Sequence, residues 1–131
     1  MPAYPHDEVV IEVKELVAEA NRAAAMRWDD DMDQYYVEKT GDSPMQRTVD
    51  RYGQAMSKAG AAAERLLALG SDAVDAVAKG LRQQGRFREL LIPYAEAHRE
   101  HAVMRDTLQL LARRKVDPLA SVARRILGED G

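Results

Sequence analysis

The chain contains no cysteine. This absence excludes disulfide bonds, cysteine-ligated zinc, iron–sulfur clusters and thiolate catalysis within these 131 residues. Apolar runs are only a few residues long, whereas a membrane-spanning helix needs roughly 20. The N-terminal residues lack the basic and apolar segments of a secretory signal peptide. We therefore expect no membrane association and a cytoplasmic location.

Aromatic residues are also scarce, at 5% of the chain, and much of the 46% hydrophobic content is alanine. Such small side chains allow helices to approach one another closely. No segment alternates polar and apolar residues with the period of a strand. We predict one all-α domain over residues 1–131, with a loose lead at 1–6 and a frayed tail at 129–131. Its helices, about five in antiparallel hairpins, would form a HEAT-like array or a helical bundle without a sheet.

The first two predicted helices carry the clearest boundary signals. The first starts near Glu8 behind a capping Asp7, is interrupted near residue 30 by the aspartates of residues 29–33, and stops at Gly41. The second runs from Ser43-Pro44 to Gly70. Its apolar residues alternate spacings of four and three, which predicts a seam for another helix. These seam residues are Met45, Val49, Tyr52, Met56, Ala59, Ala63, Leu66 and Leu67. Gly53 and Gly60 are predicted points of close helix approach.

Three further helices are predicted in the second half. One starts at a Ser71-Asp72 cap and ends by Gly85. The next begins near Phe87 or Pro93 and runs unbroken to residue 113, with a histidine on its apolar stripe at position 101. The last is opened by Asp117-Pro118 and stops at glycine 128.

Part of the chain repeats itself at an offset of 45 residues, since residues 59–81 match residues 104–126. Leu66 corresponds to Leu111, and Asp72 corresponds to Asp117. Residues 67–77 resemble the turn and second helix of a HEAT repeat, and residues 103–118 are similar to the first helix and turn of another. The first third of the chain departs from this pattern. The resemblance implies stacked helical hairpins that bind other proteins.

Charge is distributed unevenly along the chain. Residues 1–66 hold 8 Lys/Arg against 13 Asp/Glu, whereas residues 79–125 hold 11 against 5. This asymmetry predicts electrostatic complementarity with a partner or between two copies. The first functional hypothesis is thus a small interaction or adaptor domain with a protein partner, which includes a homodimer. The candidate partner-binding residues are Trp28, Asp30, Asp31, Tyr35, Tyr36, Arg113, Arg114 and Arg125. Core packing is the alternative role for the three aromatics.

Two other functional hypotheses remain open. The Arg-rich segment 79–125 favours nucleic-acid binding. The overall pI near 5.6 argues against it, because nucleic-acid-binding domains are typically basic. His98 and His101 would share a helix face and, with acidic residues, could hold the metal of a hydrolase. A buried or boundary role for His101 is the competing interpretation. No phosphate loop or nucleophile motif is present, so no cofactor is expected and a binding function is favoured over catalysis.

Overall fold

The computed structural model describes residues 4–26 and 28–128. Residues 1–3 of the predicted lead and the predicted tail 129–131 lie outside it. The described chain is helical and contains no strand, which confirms the all-α class. It has seven α-helices instead of about five, because the first and fourth predicted helices are each divided. The helices are α1 (Asp7–Ala25), α2 (Asp30–Thr40), α3 (Pro44–Ala68), α4 (Val74–Leu81), α5 (Ile92–Ala97), α6 (Ala102–Arg113) and α7 (Ala120–Leu127). Short 3₁₀ segments at Gly70–Ala73 and Arg86–Leu91 precede α4 and α5.

Helices α1 and α3 form a long antiparallel pair. Glu12 binds Arg65 near one end of the pair, whereas Ala23 and Thr48 line a shared groove near the other. Ala20 of α1 and Ala59 of α3 are both fully buried. Such small buried side chains are consistent with the close helix approach that the alanine content predicts.

The remaining core helices cover only one half of this pair. Gly80 of α4 lies so close to α1 that an added Cβ would be 2.8 Å from Val10 Cγ1. Lys14 of α1 donates to Gln83 at 2.8 Å, and the Tyr94 hydroxyl of α5 donates to the carbonyl beyond the end of α3. Helix α6 packs on α4 and α7. The core thus surrounds the start of α1 and the end of α3, and the opposite end of the pair extends beyond it.

A buried ion pair connects the second 3₁₀ segment to the loop before α7. Arg88 donates to both carboxylate oxygens of Asp117 at 2.9 and 3.1 Å, and both side chains are 3% exposed. Arg88 also donates to the carbonyls of Leu81 and Gly85, and Leu119 N donates to Asp117. The hydrogen bonds from Arg88 hold the pKa of Asp117 below its ordinary value.

Several predicted boundaries are confirmed and others are wrong. Ser43 caps α3 by accepting from the Gln46 amide, as expected, and glycines 41 and 128 end α2 and α7 in the left-handed region. Asp7 is not a cap, because the helix starts at Asp7 itself and its carboxylate approaches Lys79 Nζ at 3.4 Å. The predicted cap at residues 71–72 is also wrong, since that stretch is 3₁₀ and makes no side-chain cap.

The predicted seam along α3 is covered only in its C-terminal half. Ala59 and Leu66 are fully buried, but Val49 and Tyr52 are 59% and 41% exposed. The two α3 glycines that were expected to meet a neighbouring backbone have nothing within 4 Å of an added Cβ. In the first half of α3, Val49 and Tyr52 of this seam are therefore left open to solvent.

Candidate protein-interaction site at the free end of the helix pair

Helix α2 exposes its apolar face. None of its residues is buried. Met32, Tyr35 and Tyr36 have the spacing of one helix face and are 47%, 55% and 39% exposed. Asp33 and Val37 are half-buried on the opposite side. The helix thus rests on the molecule through Asp33 and Val37 and turns its largest apolar side chains to solvent; we call Met32, Tyr35 and Tyr36 the α2 stripe.

Local hydrogen bonds hold α2 in this orientation. Asp29 caps the helix by accepting from Met32 N at 2.7 Å. The Asp33 carboxylate accepts from Ser43 Oγ at 2.7 Å and from Met45 N at 2.9 Å. This carboxylate sits at the N-terminus of α3, where negative charge is favoured by the helix dipole. These hydrogen bonds position α2 through Asp29 and Asp33 and leave Met32, Tyr35 and Tyr36 exposed.

The aromatic side chains form one continuous cluster. The rings of Tyr35 and Tyr36 meet edge to face with centroids 5.4 Å apart, and Trp28 meets Tyr36 in the same way at 6.3 Å. Trp28 also donates from Nε1 to Thr48 Oγ1 at 3.2 Å. Trp28 thereby connects the α2 stripe to the surface of α3.

A groove of about 440 Å³ lies beside this cluster, between the end of α1 and the start of α3. Its floor and walls are mainly apolar, and Met26, Val49 and Tyr52 are exposed within it. Arg47 and Arg51, both exposed, line an adjoining depression that also contains Trp28. The groove residues are Ala23, Ala24, Met26, Trp28, Met45, Thr48, Val49 and Tyr52.

The structure brings together only some of the predicted partner-binding residues. Trp28, Tyr35 and Tyr36 form the cluster, with Trp28 half-buried and both tyrosines exposed. Asp30 and Asp31 are exposed in the first turn of the same helix. These five residues share one end of the molecule.

The three predicted arginines lie elsewhere. Arg113 and Arg125 are exposed on α6 and α7, which pack on each other, whereas α2 packs on α3. Arg114 lies 3.7 Å from the Asp117 carboxylate and donates to the Arg82 carbonyl. The prediction missed the groove itself, although the α3 seam contained three of its eight lining residues, Met45, Val49 and Tyr52.

The predicted histidine pair does not share a helix face, and that prediction is wrong. Helix α5 ends at Ala97 and α6 begins at Ala102, so the two imidazoles lie in the break between them. His98 stacks on Tyr94 with centroids 4.3 Å apart. His101 is exposed and caps α6 by accepting from Val103 N, so neither a core nor a boundary position describes it. Within residues 4–26 and 28–128, no group of three or more His, Asp or Glu side chains is placed to hold a metal ion.

Several arginines of the 79–125 segment are engaged inside the fold. Arg88 is buried against Asp117, Arg82 donates to Thr107, and Arg105 pairs with Glu100 at 2.8 Å. Charges that are already paired or buried are less available to neutralise phosphates. The segment therefore offers fewer free cations than its composition indicates.

Comparison of the chain with protein-family models, curated proteins and solved structures finds no match. Among the helices of the described residues, none combines the length and the apolar character required to cross a bilayer. The functional interpretation therefore depends on the geometry of α2, Trp28 and the groove between α1 and α3.

Proposed function

We propose that this chain is a helical protein-interaction domain that binds an amphipathic helix at the free end of the α1–α3 pair. One observation carries the proposal. The α2 stripe, Trp28 and the groove form a continuous apolar surface that nothing in the described chain covers. Exposed apolar patches of several hundred Å² usually mark sites of interaction.

The composition of this surface is suited to protein binding. Tyrosine and tryptophan supply large and rigid contacts and are enriched among the residues that dominate binding energy. Met26, Met32 and Met45 add flexible apolar side chains that adapt to a partner. A groove between two helices receives a third helix through apolar residues at spacings of three and four. The HEAT resemblance, which stays a prediction, would point to the same class of function.

The experiment is site-specific photo-crosslinking in cells that make the protein. A crosslinking side chain replaces Val49 in the groove or, as the matched control, Val116, which is 96% exposed in the loop before α7. We expect a discrete protein adduct at position 49 and only background at position 116. The substitutions Tyr35→Ala and Tyr36→Ala in the same chain should reduce the adduct. Equal labelling at both positions, or none above background at position 49, would contradict the proposal.

A further inference from the structure

We infer that the partner helix is α2 of a second copy of this chain. This inference rests on the proposed function and names the occupant of the same groove. In the dimer, the α2 stripe of each copy lies in the groove of the other. A single two-fold axis relates both contacts, as in most homodimers.

The first argument is that each copy carries both a groove and a helix that fits one. Helix α2 has 11 residues, which gives a length of about 16 Å. It is capped by Asp29 at its N-terminus and by Gly41 at its C-terminus, so it is already helical in the single chain. Its three large apolar residues have the spacing by which amphipathic helices anchor in grooves. Preformed elements lose less conformational freedom on binding than disordered segments do.

The second argument is charge. Asp31 and Glu38 are exposed and seven residues apart, which places both along one side of the α2 stripe. Arg47 and Arg51 are exposed beside the groove, and within the described residues neither forms an ion pair with a carboxylate. The Asp31–Glu38 side of α2 is therefore acidic, although Lys39 Nζ lies 5.7 Å from the Tyr35 ring centroid on the stripe itself, and the Arg47–Arg51 side of the groove is basic. In the dimer, the acidic side of each α2 faces the basic side of the other copy's groove, so opposite charges meet at both contacts.

The third argument is area. Six apolar side chains of this surface are 39–59% exposed. At roughly 200 Å² for a full aromatic side chain and somewhat less for an aliphatic one, they present on the order of 500 Å² per copy. Two copies would bury about 1,000 Å², which is the least area expected of a specific interface. A foreign helix in the groove alone would leave the α2 stripe in water, whereas a second copy covers both. The six residues are Met26, Met32, Tyr35, Tyr36, Val49 and Tyr52.

The test begins with the mass of the purified full chain in solution, by sedimentation equilibrium over a range of concentrations. We expect twice the 14.6 kDa of one chain. Val49→Glu buries a charge in the interface and should weaken dimerisation by about thirtyfold or more. Val116→Glu makes the same change in the distant loop and should leave the dimer intact. Circular dichroism should show both variants folded, because both valines are exposed.

A charge-exchange experiment tests the specific docking. One chain carries Asp31→Lys and Glu38→Lys, and the other carries Arg47→Glu and Arg51→Glu. In a homodimer of either altered chain, like charges would face each other at both contacts. Each altered chain should therefore be monomeric at concentrations at which the unaltered chain is dimeric. Mixed, they pair opposite charges at both contacts, and native mass spectrometry should show the heterodimer.

Three outcomes would overturn the inference: an unaltered chain that stays monomeric at high concentration, a dimer insensitive to Val49→Glu, or a mixture that forms no heterodimer. These outcomes are distinguishable from failure of the proposed function. If the chain is monomeric but position 49 crosslinks to a different protein, the interaction domain stands and the homodimer falls. If position 49 forms no adduct at all, both fall.

Discussion

The buried ion pair between Arg88 and Asp117 allows a quantitative prediction for Asp117→Ala. The substitution removes two hydrogen bonds to Arg88 and one to Leu119 N. It also leaves the guanidinium, 3% exposed, without a counter-charge. Loss of one partner of a buried pair typically costs about 3–5 kcal/mol. Arg88 retains two carbonyl acceptors, so we expect the lower end, about 3 kcal/mol, which is a large share of a typical stability of about 5–15 kcal/mol.

The assay is urea unfolding followed by circular dichroism, with the free energy of unfolding taken by linear extrapolation. Asp106→Ala is the matched control, because Asp106 is an exposed aspartate on α6; its effect should stay within about 0.5 kcal/mol. Adding Arg88→Met to Asp117→Ala removes the stranded charge, so the double variant should be more stable than Asp117→Ala alone. A loss below about 1 kcal/mol for Asp117→Ala would refute the reasoning.

The same pair predicts a pH dependence. Hydrogen bonding to Arg88 holds the pKa of Asp117 in the folded chain below its ordinary value of 3.8. As the pH falls, the unfolded chain therefore takes up this proton at a higher pH than the folded chain does. Above pH 3.8 the ionised carboxylate makes its full contribution to the free energy of unfolding. That contribution is lost as the pH falls through the folded pKa. The difference in unfolding free energy between the unaltered chain and Asp117→Asn should accordingly shrink as the pH falls below 3.8.

Substitutions at four further positions test helix packing, helix capping and the burial of a hydroxyl. Gly80→Ala places a Cβ 2.8 Å from Val10 Cγ1 and should destabilise by about 1–3 kcal/mol. Gly53→Ala meets nothing within 4 Å and should instead raise the free energy of unfolding by up to about 1 kcal/mol; equal effects of the two changes in a urea titration would contradict this assignment. Ser43→Ala removes the cap of α3 and should lower the melting temperature, at a cost of about 1 kcal/mol, whereas Ser43→Gly should cost less. Burial raises the pKa of Tyr94 from 10.0 to about 12. The neutral hydroxyl therefore contributes to the free energy of unfolding below pH 10.0, and this contribution is lost as the pH rises towards 12. Phenolate absorbance should show one tyrosine that titrates late, and this tyrosine should disappear in Tyr94→Phe.

Helix class and several helix ends follow from local chemistry, and the sequence predicts them. Ser43 before a proline predicts the start of α3, because the hydroxyl satisfies a free amide of the first turn. Gly41 predicts the end of α2, since it takes φ 79° at little steric cost. The aspartate cluster at 29–33 predicts an interruption, which the structure places between α1 and α2. Each of these depends on a few neighbouring residues.

Partners distant in the chain are not predictable in this way. His101 falls in phase with an apolar stripe, yet the helix breaks before it and the imidazole becomes a cap. The sequence predicts that Asp117 begins the last helix, but the main partner of its carboxylate is Arg88, 29 residues earlier. The choice between an intact and a broken helix depends on what the surrounding helices bury, which periodicity does not encode.

The composition and spacing of residues determined that this chain folds as amphipathic helices, with the start observed for α3 and the C-terminal ends observed for α2 and α7. Only the tertiary structure decided that Ala59 and Leu66 are buried while Val49 and Tyr52, in the same seam, remain exposed. The physical reason is that spacing records which side chains share a face, whereas burial requires a neighbour. Helices α4 and α5 pack on one half of the α1–α3 pair, whereas at the other half α2 leaves Val49 and Tyr52 exposed.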